Sequence, residues 1–254
     1  MRYNKGMKQR LLIIIGVLLL VASAQAQERK VQNRPYTDLR KFHFGILTGV
    51  HFQDLEFLNV GPQLVENEDG TTSETLILTD QDRWDAGFTV GVLGEFRLSQ
   101  ALQLRIAPAM YFGNRHITMI NYGSQGFPQE QARQQQDLKS IYVSTATDLI
   151  YAAPRFNNYR PYVMAGLNPM LNLSGSRDDY LRLKKTEVFA EIGVGCDFYL
   201  PFFKLRPELK FMYGLMNSLD ANHAGELRDR NMVPYSSSVK EAHSKIIALT
   251  FYFE

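Results

Sequence analysis

Glu187-Val188-Phe189-Ala190-Glu191-Ile192-Gly193-Val194-Gly195-Cys196-Asp197-Phe198-Tyr199-Leu200 alternates with a period of two from end to end. Val188, Ala190, Ile192, Val194, Cys196, Phe198 and Leu200 fall on one side, and Glu187, Phe189, Glu191, Gly193, Gly195, Asp197 and Tyr199 on the other. That period belongs to a β-strand with two unlike faces. One face is apolar throughout and the opposite one carries carboxylates, so the strand separates a greasy medium from a polar one.

The same pattern recurs on both sides of it. Leu205, Leu209, Phe211, Tyr213 and Leu215 oppose Arg206, Glu208, Lys210, Met212 and Gly214, and Leu104, Ile106, Met110 and Phe112 oppose Gln103, Arg105, Ala107, Ala109 and Tyr111. Phe42, Phe44, Ile46, Val50 and Phe52 alternate with His43, Gly45, Leu47, Gly49 and His51, and the chain ends on Ile247, Leu249, Phe251 and Phe253 against Ala248, Thr250, Tyr252 and Glu254. Eight such segments are predicted, over 41–53, 84–98, 102–120, 138–153, 160–174, 185–200, 204–218 and 241–254. Several are long enough for a tilted strand to cross a bilayer, which takes roughly 9–11 residues.

The connections sharpen the reading. After the second, fourth and sixth segments they are short (99–101, 154–159, 201–203), and after the first, third, fifth and seventh they are longer and polar (54–83, 121–137, 175–184, 219–240). Short and long connections alternate in an antiparallel outer-membrane barrel, with tight turns at one rim and surface loops at the other. Aromatic residues gather where strands meet turns, at Tyr151, Phe156, Tyr159, Tyr162, Phe198, Tyr199, Phe202 and Phe203, as an interfacial girdle would place them. The expected fold is all-β, an eight-stranded antiparallel transmembrane β-barrel over 41–254 with a filled, charged lumen. The rival is a secreted soluble barrel or sandwich whose apolar face packs a core.

A barrel of eight strands has an interior just wide enough for side chains to fill it. Its expected lumen charge network is Glu95, Arg97, Arg105, Asp148, Arg160, Glu191, Asp197, Arg206, Glu208 and Lys210. Such groups pair inside and hold strands together; a proton path or narrow conduction route is the alternative role.

The N-terminus sets the compartment. Arg2, Lys5, Lys8 and Arg10 precede the apolar run Leu11–Val21, which small residues close through Ala26. That order predicts a secretory signal peptide over 1–26, cut after Ala26, with the Ala22/Ala24 frame as the alternative, and followed by a periplasmic segment 27–40. An apolar core of about eleven residues is short of the roughly 20 that a spanning helix needs. Composition agrees with export to a membrane crossed by strands. Mean hydropathy is only −0.23, as expected when half of each strand and the long loops are polar. The chain has 28 Lys and Arg against 26 Asp and Glu, so nothing suggests nucleic acid.

Chemistry is sparsely signalled. Cys196 is the sole cysteine, and a multi-thiolate zinc site is thereby ruled out. His43 and His51 share a strand face, yet eight residues at about 3.3 Å each put them too far apart to ligate one metal. The acidic stretch Glu66, Glu68, Asp69, Glu74, Asp80, Asp82 and Asp85 lacks the spacing of a calcium loop and reads as solvated loop charge. No nucleophile elbow accompanies the serines and histidines. The expectation is no enzyme, no metal and no cofactor, with no small-molecule substrate.

Asn157-Asn158-Tyr159-Arg160-Pro161-Tyr162-Val163, Arg182-Leu183-Lys184-Lys185 followed by Glu191 through Pro201, and Pro207-Glu208-Leu209-Lys210-Phe211 closely resemble the PorT family of outer-membrane barrels from Bacteroidetes. The opening Phe42-His43-Phe44-Gly45-Ile46 and the closing Phe251-Tyr252-Phe253-Glu254 are similar too. The resemblance implies an integral outer-membrane component of the type IX secretion system; the alternation of short and long connections separately places both termini in the periplasm. Its partners would be outer-membrane lipid and other secretion proteins of the outer membrane and periplasm, and it would serve assembly or docking in cargo export and, in gliding species, adhesin delivery. The resemblance carries over no catalytic residue. The alternatives are a small barrel acting as adhesin or passive channel, and a lipid-modifying barrel enzyme.

Overall fold

The computed structural model describes residues 32–66, 71–123, 133–175, 179–220 and 222–254; the predicted signal peptide 1–26, its cleavage point at Ala26 and residues 27–31 lie outside the described residues, as do Glu68 and Asp69. One compact unit spans Asn33–Glu254. Its strands are β1 (Phe42–Asn59), β2 (Pro62–Glu66), β3 (Thr72–Asp80), β4 (Asp85–Arg97), β5 (Leu102–Asn121), β6 (Arg133–Ala152), β7 (Tyr159–Asn172), β8 (Thr186–Tyr199), β9 (Lys204–Gly214) and β10 (Val239–Phe253). Two short helices, α1 (His223–Glu226) and α2 (Val233–Ser237), sit between β9 and β10.

Eight strands close into a ring, β1-β4-β5-β6-β7-β8-β9-β10, every neighbour antiparallel. Two pairings complete it: β1 with β10, from Ile46 opposite Phe253 to Asn59 opposite Val239, and β5 with β6 from Leu102 opposite Tyr151 to Ile120 opposite Arg133. Closure leaves no ring strand with an unpaired edge, which a hydrocarbon environment demands because it offers backbone groups no other partner.

The faces are sorted polar inward and apolar outward. On β8, Glu187, Phe189, Glu191, Asp197 and Tyr199 are buried, whereas Ile192 is 62% and Val194 57% exposed. Phe44, Ile46, Phe88, Val163, Leu167 and Leu209 are likewise exposed around the ring. A soluble barrel would bury this very set, so its display over eight strands excludes that rival.

The structure corrects the expected loop at 54–83. β1 continues to Asn59, and most of the remaining stretch is wall. β4 stops pairing with β5 at Gly87 opposite Gly113, and β3 takes over as the neighbour of β5, with Ile77 opposite Asn121 and Asp80 opposite Thr118. β3 and β4 are therefore one strand position interrupted at 81–84. The side chain of Asn59 imitates a ladder partner there, donating to the Thr79 carbonyl at 3.1 Å and accepting from the Thr79 amide at 2.9 Å. Gln81 fills the interruption, its Nε2 donating to the carbonyls of Gln53 and Arg83 and to Asp85 Oδ2. Likewise β6 begins at Arg133 and not near 138, and its glutamines are strand residues. These walls stand well beyond the outward apolar band, which on β1 ends at Phe52.

Inside the raised wall lies a second core. Leu55, Ile77, Ile117, Met119, Leu138, Leu181, Leu183, Leu219, Val239 and Ala242 pack together, flanked by Phe57, Tyr180 and Tyr235. This core makes the loop end a folded platform. Truncating Ile117 to Ala inside it should cost about 2–5 kcal/mol of unfolding free energy, whereas Ile192→Ala on the lipid face should cost less; urea titration of the protein in vesicles measures both.

Candidate functional site: a charged lumen beneath a platform

At the turn end, residues 33–40 bind across the rim. The Asp38 carboxylate accepts from Tyr199 Oη at 2.6 Å and faces Arg155 and Arg160 at 3.7 and 3.8 Å. The Arg155 guanidinium lies 3.6 Å over the Tyr199 ring. Asn33 is held by Asn158 and by the Tyr199 carbonyl, and Arg34 donates to the Glu254 carbonyl at 2.8 Å.

The next layer is centred on Arg206. Its Nε donates to Asp197 at 2.5 Å and its Nη1 to Glu254 at 2.7 Å and to Glu95. Glu254 also pairs with Lys204 and lies 3.5 Å from His43. Above it is Arg105, donating to Asp148 at 3.0 Å and to Glu208 at 2.7 Å, with its guanidinium 4.3 Å over the Tyr252 ring. Tyr162 and Tyr252 each donate to Glu208 at 2.9 Å, and Lys210 reaches Glu191 at 3.3 Å. Tyr162 lies against Gly195, where any Cβ would come within 2.3 Å of its ring; the glycine makes room for the phenol over the charges.

A plug of Leu47, Leu93, Ala107, Tyr111, Tyr142, Phe189, Met212 and Ile246 separates this region from a third polar layer. There Arg115 donates to Gln53 and Ser244, both at 3.0 Å, while Ser218 donates to Glu187 and Ser244 Oγ to Glu187 at 3.3 Å. The platform core caps the whole. Stacked ion pairs, an apolar cluster and a second core follow one another inside the barrel from the turn end to the platform.

Of the residues expected in the lumen, Glu95, Arg105, Asp148, Arg160, Glu191, Asp197, Arg206, Glu208 and Lys210 are buried there. Arg97 is different: it is half-buried at the rim and donates to the Asp38 carbonyl at 3.1 Å. Arg115, Lys204, Glu187 and Glu254 belong to the same system and lie outside the set expected from sequence, although Arg115 shares the strand parity of Arg105 and Lys204 that of Arg206. Among the described residues no three His, Cys, Asp or Glu side chains converge as a metal site. His43 faces Glu254 and His51 bonds Thr89 at 3.0 Å. Cys196 is half-buried on the outward parity.

On the platform wall, His116 joins the strand interruption to β5. Its Nδ1 meets Asp85 at 2.7 Å and its Nε2 meets Asp82. Partial burial alone would lower the pKa of His116, but the two carboxylates outweigh it and hold the group above its ordinary 6.5.

Residues 24–220 match the family described as outer membrane protein beta-barrel domain. No curated protein sequence matches the chain. Among solved structures, Neisserial surface protein A is 13% identical at a TM-score of 0.40, covering 84% of this chain and 98% of its own. Ail, the attachment invasion locus protein of Yersinia pestis, in complex with the heparin analogue sucrose octasulfate, is 10% identical at 0.37, covering 84% and 99%.

This geometry has two measurable outcomes. Arg105→Ala takes from Asp148 its ion-pair partner and leaves Glu208 with Lys210 alone at 3.9 Å; it should cost about 3–5 kcal/mol, against less than about 1 kcal/mol for Arg97→Ala at the rim, read by urea unfolding in vesicles. Because the pKa of His116 is raised on folding, its contribution is complete below pH 6.5 and is lost as pH rises through the raised value. The stability gap between the native protein and His116→Gln should therefore be widest below pH 6.5 and close above it, in the same unfolding titration run across pH.

Proposed function

The chain belongs to the outer membrane protein beta-barrel domain family, and from that premise we propose that it is a closed barrel that works by docking proteins on its extramembrane ends, without conducting solute and without catalysis. The observation that carries this reading is the platform: β1, β3, β5 and β6 rise beyond the lipid band around a core of their own, above a lumen filled by ion pairs. A conduit needs an open bore, whereas a rigid raised surface suits recognition. On this reading the long strands face the exterior of a Gram-negative cell and both termini lie in the periplasm. The role is that of a surface-binding or adhesin-type barrel, with lipid and envelope proteins as its partners and no nucleic acid or small-molecule substrate.

A second reading, a component of the type IX secretion system in a Bacteroidetes-type envelope, is favoured by the turn end. The stretch that resembles the PorT family, 157–215, supplies Asn158 and Tyr199, which hold Asn33 and Asp38. There the docking surface would serve assembly of the export machinery.

In planar bilayers the purified barrel should give no steady conductance, and affinity capture from outer membranes in mild detergent should recover defined protein partners. Steady conductance without partners would overturn the docking reading in favour of a passive channel. Deleting the gene separates the two docking roles: cargo lost from the cell surface indicates the secretion component, and unchanged export with lost surface binding indicates the adhesin.

A further inference from the structure

The layer around Arg105 is short of positive charge. Arg105 and Lys210 face three carboxyl groups, those of Asp148, Glu191 and Glu208, and all five side chains are buried. Neither neighbouring layer supplies the missing cation. Arg206 is met by Glu95, Asp197 and Glu254, and Arg115 lies beyond the apolar cluster, bonded to Gln53 and Ser244. The other polar side chains that pack on the layer are uncharged: Tyr111 from β5, Tyr162 and Asn168 from β7, and Tyr252 from β10.

Hydrogen bonds locate the excess. Glu208 accepts from Arg105, Tyr162 and Tyr252, and Glu191 accepts from Lys210 at one oxygen and from Asn168 at the other, at 3.3 and 3.1 Å. Asp148 Oδ2 accepts from Arg105 Nε, but Asp148 Oδ1, equally shut off from water, meets no donor. The register explains where that oxygen points. Asp148 on β6 and Glu191 on β8 are both paired with Gly166 of β7, which has no side chain to part them. Any Cβ at Gly166 would collide with Asp148 Oδ1. The oxygen therefore lies over the glycine, and the two carboxyl groups come into hydrogen-bonding contact across it.

Two ionised carboxylates in contact repel, and a buried acceptor without a donor bears the full cost of its desolvation. One proton removes both penalties. A metal cation would not serve, because Arg105 and Lys210 stand beside the same two groups and would repel it. We propose that Asp148 and Glu191 form a proton-binding site inside the barrel, in which Asp148 holds a proton on Oδ1 and donates it to Glu191. Arg105 keeps its bond to Oδ2, and the layer balances, two cations against Glu208 and a singly charged acid pair. The proton is taken from water as the chain folds, since both carboxyls are ionised in the open chain at neutral pH. The bond so formed ties β6 to β8 across the intervening strand.

The test uses the whole barrel folded into vesicles of zwitterionic lipid at neutral pH. Infrared spectra of the native protein should show the carbonyl stretch of a protonated, hydrogen-bonded carboxyl group. Asp148→Asn should abolish that stretch, and Glu187→Gln, which alters a buried carboxylate beyond the apolar cluster, should leave it. The asparagine amide can donate to Glu191 where the hydroxyl did, so this variant should fold; should it not, Glu191→Gln, whose amide can donate to Asp148 Oδ1, serves in its place with the same expected loss. Folding from urea in dilute buffer with an indicator dye should take up about one proton more per native chain than per chain of the Asp148 or Glu191 variant. Absence of the stretch from the native protein, its persistence in both Asp148→Asn and Glu191→Gln, its loss in Glu187→Gln, or equal proton uptake by native and variant chains would overturn the proposal.

Discussion

A guanidinium shut away from water must be met by carboxylates at hydrogen-bonding distance, since the cost of desolvating it is otherwise uncompensated. Arg105 and Arg206 sit at the centre of the barrel under that constraint. Arg105 on β5 is met by Asp148 on β6 and Glu208 on β9; Arg206 on β9 is met by Glu95 on β4, Asp197 on β8 and Glu254 at the C-terminus. The pairs of Arg105 with Glu208 and of Arg206 with Glu95 span strands more than a hundred residues apart in sequence, and all of them together fix the register. A slip of one residue would turn these charges into the lipid and the aromatic outer face into the lumen. Charge pairing and strand registration are one and the same arrangement.

Because the charges are consumed inside, the outward face can be uniformly apolar over the band, and the chemistry of recognition moves to the two ends. At the turn end, Asp38, Arg155 and Tyr199 fasten the N-terminal segment over the rim. At the other end the wall keeps rising. The break in its first ascent, at 81–84, is stitched by Gln81, Asn59 and His116, three side chains that replace missing ladder bonds. The platform so formed packs on Leu55, Ile117 and Leu138, and among the described strands β2 pairs with β3 alone.

How legible all this is from the residues depends on the local contrast between faces. Where Ile192 and Val194 alternate with Glu191 and Asp197, the strand and its sidedness are unmistakable, and the same holds for Leu209 against Glu208 and Lys210. Contrast fails above the band. There Asp54 and Glu56 alternate with Leu55 and Phe57, and Gln134, Gln135 and Gln136 are polar on both faces, so strand looks like loop. Arg115 and Lys204 are readable by parity from Arg105 and Arg206. Arg97, by contrast, has the parity of the lumen residue Glu95 but lies near the end of β4, where the rim takes it and Asp38 becomes its partner.

By itself the sequence determined the period of two, the count of eight ring strands, the inside and outside of each, and the presence of a paired charge system in the lumen, because all of these follow from side-chain parity along a single strand. Only the tertiary structure decided which charges meet, that β3 continues the place of β4, and that β2 pairs with β3 on the platform. Those relations are set by closure of the ring and by the length of each strand against its neighbour, and the partners that decide them, such as Arg105 with Glu208 or Ile77 with Asn121, lie on strands that no single window of sequence contains.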